Sequence, residues 1–178
     1  MTQCLNRPSP PSALAADQMA PDPHHRTSTA KAAGRQPIPG LTVHGTAIAW
    51  QGKGLLLLGP SGSGKSDLAL RLLDSGAMLV ADDLVGLEAV GGRLVARAPG
   101  SAGLIELRGQ GIFRQPALGE ALIDLVVRLA PRADSAERLP PPDRCVLAGV
   151  TLPVFHLDPF TASAVARLRL LATGERVF

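Results

Sequence analysis

The sequence predicts an α/β fold, and three observations predict it. Residues 55–58 are four leucines that read as a buried strand, and they run into a glycine-rich turn that opens an amphipathic helix. Further along, short β-branched runs are separated by Gly, Asp and Pro turn signals at strand-like spacing. The turn itself reads Gly59-x4-Gly64-Lys65-Ser66, the spacing of a phosphate-binding loop, in the strand–loop–helix setting that this motif requires. A backbone that wraps a polyphosphate closely leaves no room for side chains at Gly59, Gly62 and Gly64, and its N–H groups then point at the anion. Pro60, Ser61 and Ser63 complete the loop. The helix dipole adds positive potential at Lys65, whose ammonium suits β/γ-phosphates, and the Ser66 hydroxyl suits Mg²⁺.

Composition narrows the function classes. The 178 residues are 46% hydrophobic, enough for one sizeable core. Net charge is +3, the arginines are scattered singly, and aromatics make up only 3%. A nucleic-acid footprint needs clustered cations or stacking platforms, so that class is excluded. Two cysteines, Cys4 and Cys145, give neither a disulfide framework nor a paired metal motif. No stretch is long and apolar enough to span or anchor in a membrane, so a cytoplasmic protein is expected.

Two regions are expected, a disordered tail over residues 1–40 and a catalytic domain over residues 41–178. The tail is rich in Pro, Ala and Ser without apolar periodicity, and its His24 and His25 are read as solvated. Residues 41–50 and 55–58 read as a hairpin about the turn 51–54, which puts His44 on a strand paired with the one feeding the loop. The loop helix carries Asp67 in its first turn and Leu68 and Leu72 on one face, and stops at Gly76. Residues 77–81 form a short buried strand next to the loop strand, ending in Asp82-Asp83 at the strand end where α/β sheets bind ligands. Side chains alternate along a strand, so these carboxylates have different tasks.

Residues 84–98 read as a hairpin about Gly91-Gly92. Residues 103–113 read as a strand interrupted by charge and closed by two glycines; Glu106 within it is either an exposed strand residue or a metal carboxylate. Residues 121–129 are ambiguous between helix and strand, and residues 131–142 form a Pro-rich loop. Strands follow at 146–150 and 154–157, with His156 structural and Cys145 a small buried hydrophobe. Asp158-Pro159 reads as an N-cap opening a helix that runs through Leu171 to a stop at Gly174.

With His44-Gly45, the loop 59–66, the strand end Ala81-Asp82-Asp83 and the segment Glu106-x-Arg108-Gly109-x-Gly111 in this order, the chain resembles the catalytic domain of bacterial HPr kinase/phosphorylase. The likeness is good over residues 41–112 and looser beyond. The resemblance implies a phosphoenolpyruvate carboxykinase-like fold with a central mixed β-sheet and flanking helices, and a short form of the enzyme in which about forty residues precede the kinase part. It implies ATP and Mg²⁺ as cofactors, and a serine of an HPr-type phosphocarrier of a regulatory phosphotransfer system as the acceptor. It implies Asp83 as the catalytic base, Lys65 as the phosphate clamp, Ser66 and Glu106 as Mg²⁺ ligands, and His44, Arg108 and Arg138 as further active-site residues; Asp82, beside the base, is added as a secondary metal contact. A hexamer is the family-like assembly. The family's later arginine- and glycine-containing loop has no counterpart in residues 152–159, so the reverse phosphorylase reaction is not carried over. Two other readings compete with a protein kinase. A nucleotide sensor needs the loop but not the carboxylate pair, and a small-molecule kinase needs an acceptor pocket that the sequence does not signal.

Overall fold

The structure, a computed structural model, describes residues 40–130 and 141–174. The tail with Cys4, His24 and His25, most of the Pro-rich loop, and Arg138 lie outside the described residues.

The described residues form twelve strands and two helices, arranged as three layers with a separate two-stranded hairpin. The strands are β1 Leu41–His44, β2 Thr46–Trp50, β3 Lys53–Leu58, β4 Met78–Ala81, β5 Leu84–Val90 and β6 Arg93–Arg97. They continue with β7 Leu104–Leu107, β8 Gly111–Arg114, β9 Glu120–Ile123, β10 Leu125–Leu129, β11 Asp143–Leu147 and β12 Val150–Leu157. The helices are α1 Lys65–Asp74 and α2 Ala164–Thr173.

A six-stranded mixed sheet in the order β11-β12-β10-β3-β2-β4 forms the middle layer. Alternation along β3 explains how it holds the other two. Leu55 and Leu57 face the helices with Leu68 and Leu72 of α1 and Leu168 of α2, while Leu56 faces the opposite side with Val85, Leu87 and Leu94. That opposite side is covered by an antiparallel four-stranded sheet in the order β1-β5-β6-β9. The chain is therefore α/β with a central mixed sheet, as expected, but both helices share one face of that sheet and a second sheet covers the other.

The second sheet corrects several sequence expectations. The 41–58 hairpin is β2–β3, whereas β1 leaves it and pairs with β5, so His44 does not lie beside the loop strand. The break falls at Gly45, where a Cβ would lie 2.9 Å from the Leu57 carbonyl oxygen. Strand β4 pairs with β2, not directly with β3. The segment 103–113 is a hairpin, β7–β8, rather than one interrupted strand. The ambiguous 121–129 segment is two strands, β9 and β10, split at Asp124. The Asp124 carboxylate accepts the Gly54 N–H at 2.9 Å, and its own N–H donates to the Gly54 carbonyl at 2.8 Å. The predicted strand 146–150 is instead the end of one strand and the start of the next: Val146 and Leu147 close β11, Ala148 and Gly149 turn, and Val150 opens β12. Helix α2 starts at Ala164 rather than at Pro159, because Asp158 forms a turn with its carboxylate on the Phe160 N–H at 2.9 Å. His156 bonds Asp143 across β11–β12 at 3.0 Å and holds that carboxyl below its usual range, while burial pushes the half-buried Cys145 thiol up. Among the described residues, no helix is long and apolar enough to cross a membrane.

Gly54 marks the corner where the two sheets meet. A Cβ there would lie 1.8 Å from the Leu122 backbone oxygen, and backbone cannot rotate away as a side chain can. Gly54→Ala is expected to lose about 3 kcal/mol of stability, the upper part of the overpacking range, read as a lowered urea midpoint at unchanged m-value.

Candidate active site

The three points at which the chain passes between the two sheets explain how the site is assembled. These are His44-Gly45 between β1 and β2, Asp82-Asp83 between β4 and β5, and Asp124 between β9 and β10. The first two are tied together by the Gly45 N–H, which donates to the Asp83 carbonyl at 3.1 Å. That bond brings the His44 ring to Asp83, with Nδ1 3.6 Å from Oδ1, although 39 residues separate them in sequence. Both side chains are largely exposed, at 78% and 79%.

Asp83 is bent into the left-handed region at φ 67°, a conformation Asp tolerates better than most residues. This turns it away from Asp82, and the carboxylates divide as the alternation argument requires. Asp82 points under the loop, where its oxygens lie 3.2 and 3.3 Å from the Ser66 hydroxyl. Its Oδ1 also accepts a 2.7 Å hydrogen bond from the fully buried Thr46. No sequence signal singled out Thr46, because an alternating strand position looks alike whether its hydroxyl faces a core or a carboxylate.

The loop has the backbone its glycines predict. Gly62 and Gly64 have φ of 80° and 86°, and Gly64 caps α1. A Cβ at Gly59 would lie 2.5 Å from Ser63 Oγ. That buried hydroxyl has no hydrogen-bond partner in the structure, a donor left over inside an anion-sized cradle. Lys65 Nζ donates to the carbonyls of Gly59 and Pro60, both at 2.9 Å.

A cleft of about 450 Å³ opens over the loop. It is lined by Ser61, Gly62, Gly64, Lys65 and Ser66, by both aspartates, and by Glu106 and Arg108 from the β7–β8 hairpin. Arg108 Nη2 reaches across to Ser61 Oγ at 3.2 Å. Gly59, Pro60, Ser63 and His44 stand behind or beside this lining rather than in it. Leu70, Gln110 and Phe160 join the lining, and sequence reading missed all three. Phe160 had been hidden inside the expected helix, which in fact begins four residues later.

The oxygen-rich set of Ser66, Asp82 and Glu106 fits a hard cation such as Mg²⁺. Such an ion takes one or two carboxylates and completes its shell with water and phosphate, so it needs no cluster of three ionisable ligands, and none exists among the described residues.

Comparison with known proteins bears on the family and the fold. Residues 38–139 match the family model of the HPr serine kinase C-terminal domain. HPr kinase/phosphorylase of Clostridium acetobutylicum is 39% identical over 99 residues, covering 51% of this chain and 33% of that protein. The Caldicellulosiruptor bescii enzyme of the same name is 48% identical over 77 residues, covering 42% of this chain and 25% of that protein. The chain thus spans about a third or less of the length of these curated relatives. The solved HPr(Ser) kinase/phosphatase of Coxiella burnetii superposes with a TM-score of 0.64 at 23% identity, over 76% of this chain and 99% of that one, which shows a shared fold. Since the family model covers more than half of its residues, the chain belongs to the HPr serine kinase C-terminal domain family.

Proposed function

We propose that this protein is an ATP- and Mg²⁺-dependent protein kinase that phosphorylates a serine of an HPr-type phosphocarrier. The observation that carries the reading is the division of labour between the two aspartates. Asp82 is bound to the loop hydroxyl of Ser66, while Asp83 stands free of the loop at the cleft wall, exposed and open to an acceptor. A sensor needs the first arrangement but has no use for the second.

In this reading the β/γ-phosphates lie on the loop N–H groups, with Lys65 and Arg108 on their negative charge. Ser66, Asp82 and Glu106 hold the Mg²⁺, which neutralises phosphate charge when bound. Asp83 takes the proton of the acceptor serine as its oxygen forms a bond to the γ-phosphorus. The bond from that phosphorus to the β–γ bridging oxygen breaks, and ADP leaves. His44 orients Asp83. The protein's remaining contribution is positioning, because phosphoryl transfer asks for little covalent help.

Transfer of label from [γ-³²P]ATP to a serine of the host's HPr-type proteins tests the reading; ATP binding with no label on any such carrier would move the assignment to a nucleotide sensor. The metal assignment has its own test. Asp82→Asn keeps an acceptor oxygen for Thr46, so the fold should stand while the Mg²⁺ concentration needed for half-maximal transfer rises about 10- to 100-fold. An unchanged Mg²⁺ requirement would remove Asp82 from the metal site.

A further inference from the structure

The cleft is not uniformly polar. Beside the polar Lys65, Ser66, Asp82 and Arg108 its lining includes the apolar Leu70 and Phe160. Leu70 follows Ser66 by one helical turn on α1, so a polar and an apolar lining residue share one helix face. Phe160 is 67% exposed, a large apolar ring left in water in a chain that has four Phe, one Trp and no Tyr.

The turn that carries the ring is pinned to α1. The Phe160 N–H is bonded to Asp158 Oδ1, the Pro159 carbonyl accepts a hydrogen bond from Arg71 Nη2, and Arg71 is itself paired with Asp67 at 2.9 Å on α1. Position Gly64 fits closely underneath, since a Cβ there would lie 3.1 Å from Phe160 Cζ. An exposed aromatic ring on a pinned turn at the edge of a phosphate cradle is arranged to stack a flat ligand.

The geometry points to Phe160 as the platform for the nucleobase of the bound nucleoside triphosphate, with Leu70 as the apolar wall beside it. This assignment rests on the nucleotide-binding reading above and adds to it the residue that distinguishes a nucleotide from a bare polyphosphate. Phosphates are held by the loop whatever they are attached to. The base is held by the ring, through stacking that any base can supply.

The test is titration calorimetry of the full chain with two probes in Mg²⁺, ATP and inorganic tripolyphosphate. Phe160→Ala is expected to weaken ATP binding about 10- to 100-fold and to leave tripolyphosphate affinity unchanged, with Phe160→Trp restoring ATP affinity. Equal weakening of both probes would mean that the ring only shapes the loop, and unchanged ATP affinity would mean that it touches no base; either overturns the assignment. A raised KM for the carrier with ATP affinity intact would instead make the ring a carrier contact. If wild-type protein binds tripolyphosphate and ATP equally well, this inference falls and the phosphate site stands. If it binds neither, the nucleotide reading itself falls.

Discussion

Asp83→Asn should abolish most phosphotransfer while leaving the folded protein and its nucleotide site intact. The expected loss is about 10² to 10⁴ in the rate of transfer to a carrier serine, the usual contribution of a positioned general base. The structure makes this substitution unusually clean. Asp83 contributes to the fold through its carbonyl, which accepts the Gly45 N–H, and through its left-handed backbone at φ 67°. Asn retains both, because the bond is to the main chain and Asn enters the left-handed region as readily as Asp. The side chain is 79% exposed and makes no bond to the loop, so ATP affinity should not move. Single-turnover transfer measured by rapid quench at saturating ATP isolates the step. A loss smaller than about tenfold, well under the range for a general base, would assign proton removal to another group. His44 is the candidate in that event, since its ring lies 3.6 Å from the same carboxylate.

How much of this site was legible in the sequence depends on whether a residue's role is local. The loop and α1 were readable because glycine spacing, an apolar strand and a helix stop are signals written within about twenty residues, and Gly62, Gly64 and Gly76 all take a positive φ that suits glycine. The strand end at Asp82-Asp83 was legible for the same reason. What could not be read was which sheet each strand joins. Gly45 and Asp124 look like an ordinary glycine and an ordinary charge inside apolar runs, yet each is where the chain crosses from one sheet to the other. The pairing of His44 with Asp83 depends on two such crossings meeting, so periodicity along one strand holds no trace of it. The bond from Thr46 to Asp82, spanning 36 residues, was invisible on the same grounds. The start of α2 is not legible because Asp-Pro is equally a helix opening and a turn, and Arg71, on a different helix, fixes the turn by donating to the Pro159 carbonyl.

The second large effect is expected at Lys65, and it separates charge from shape. The ammonium is folded over its own loop entrance on the Gly59 and Pro60 carbonyls, both at 2.9 Å. In the proposed reaction a γ-phosphate offers it a stronger, charge-assisted partner, and Lys65 would exchange two neutral carbonyls for phosphate oxygens. The exchange helps the reaction most where negative charge shifts toward the leaving group, which is the condition for lowering a barrier rather than merely binding a substrate. Lys65→Met preserves the length of the stem and suits the first turn of α1, but removes the cation. Transfer should fall about 10² to 10³, the size found when one preorganised electrostatic contact is removed. Lys65→Arg should not restore it, because a planar guanidinium cannot replace a compact ammonium inside so tight a loop. The kinetic split carries the argument: a loss confined to KM for ATP would make Lys65 a binding residue, whereas a loss in kcat at saturating ATP would place its charge on the transferring phosphoryl group.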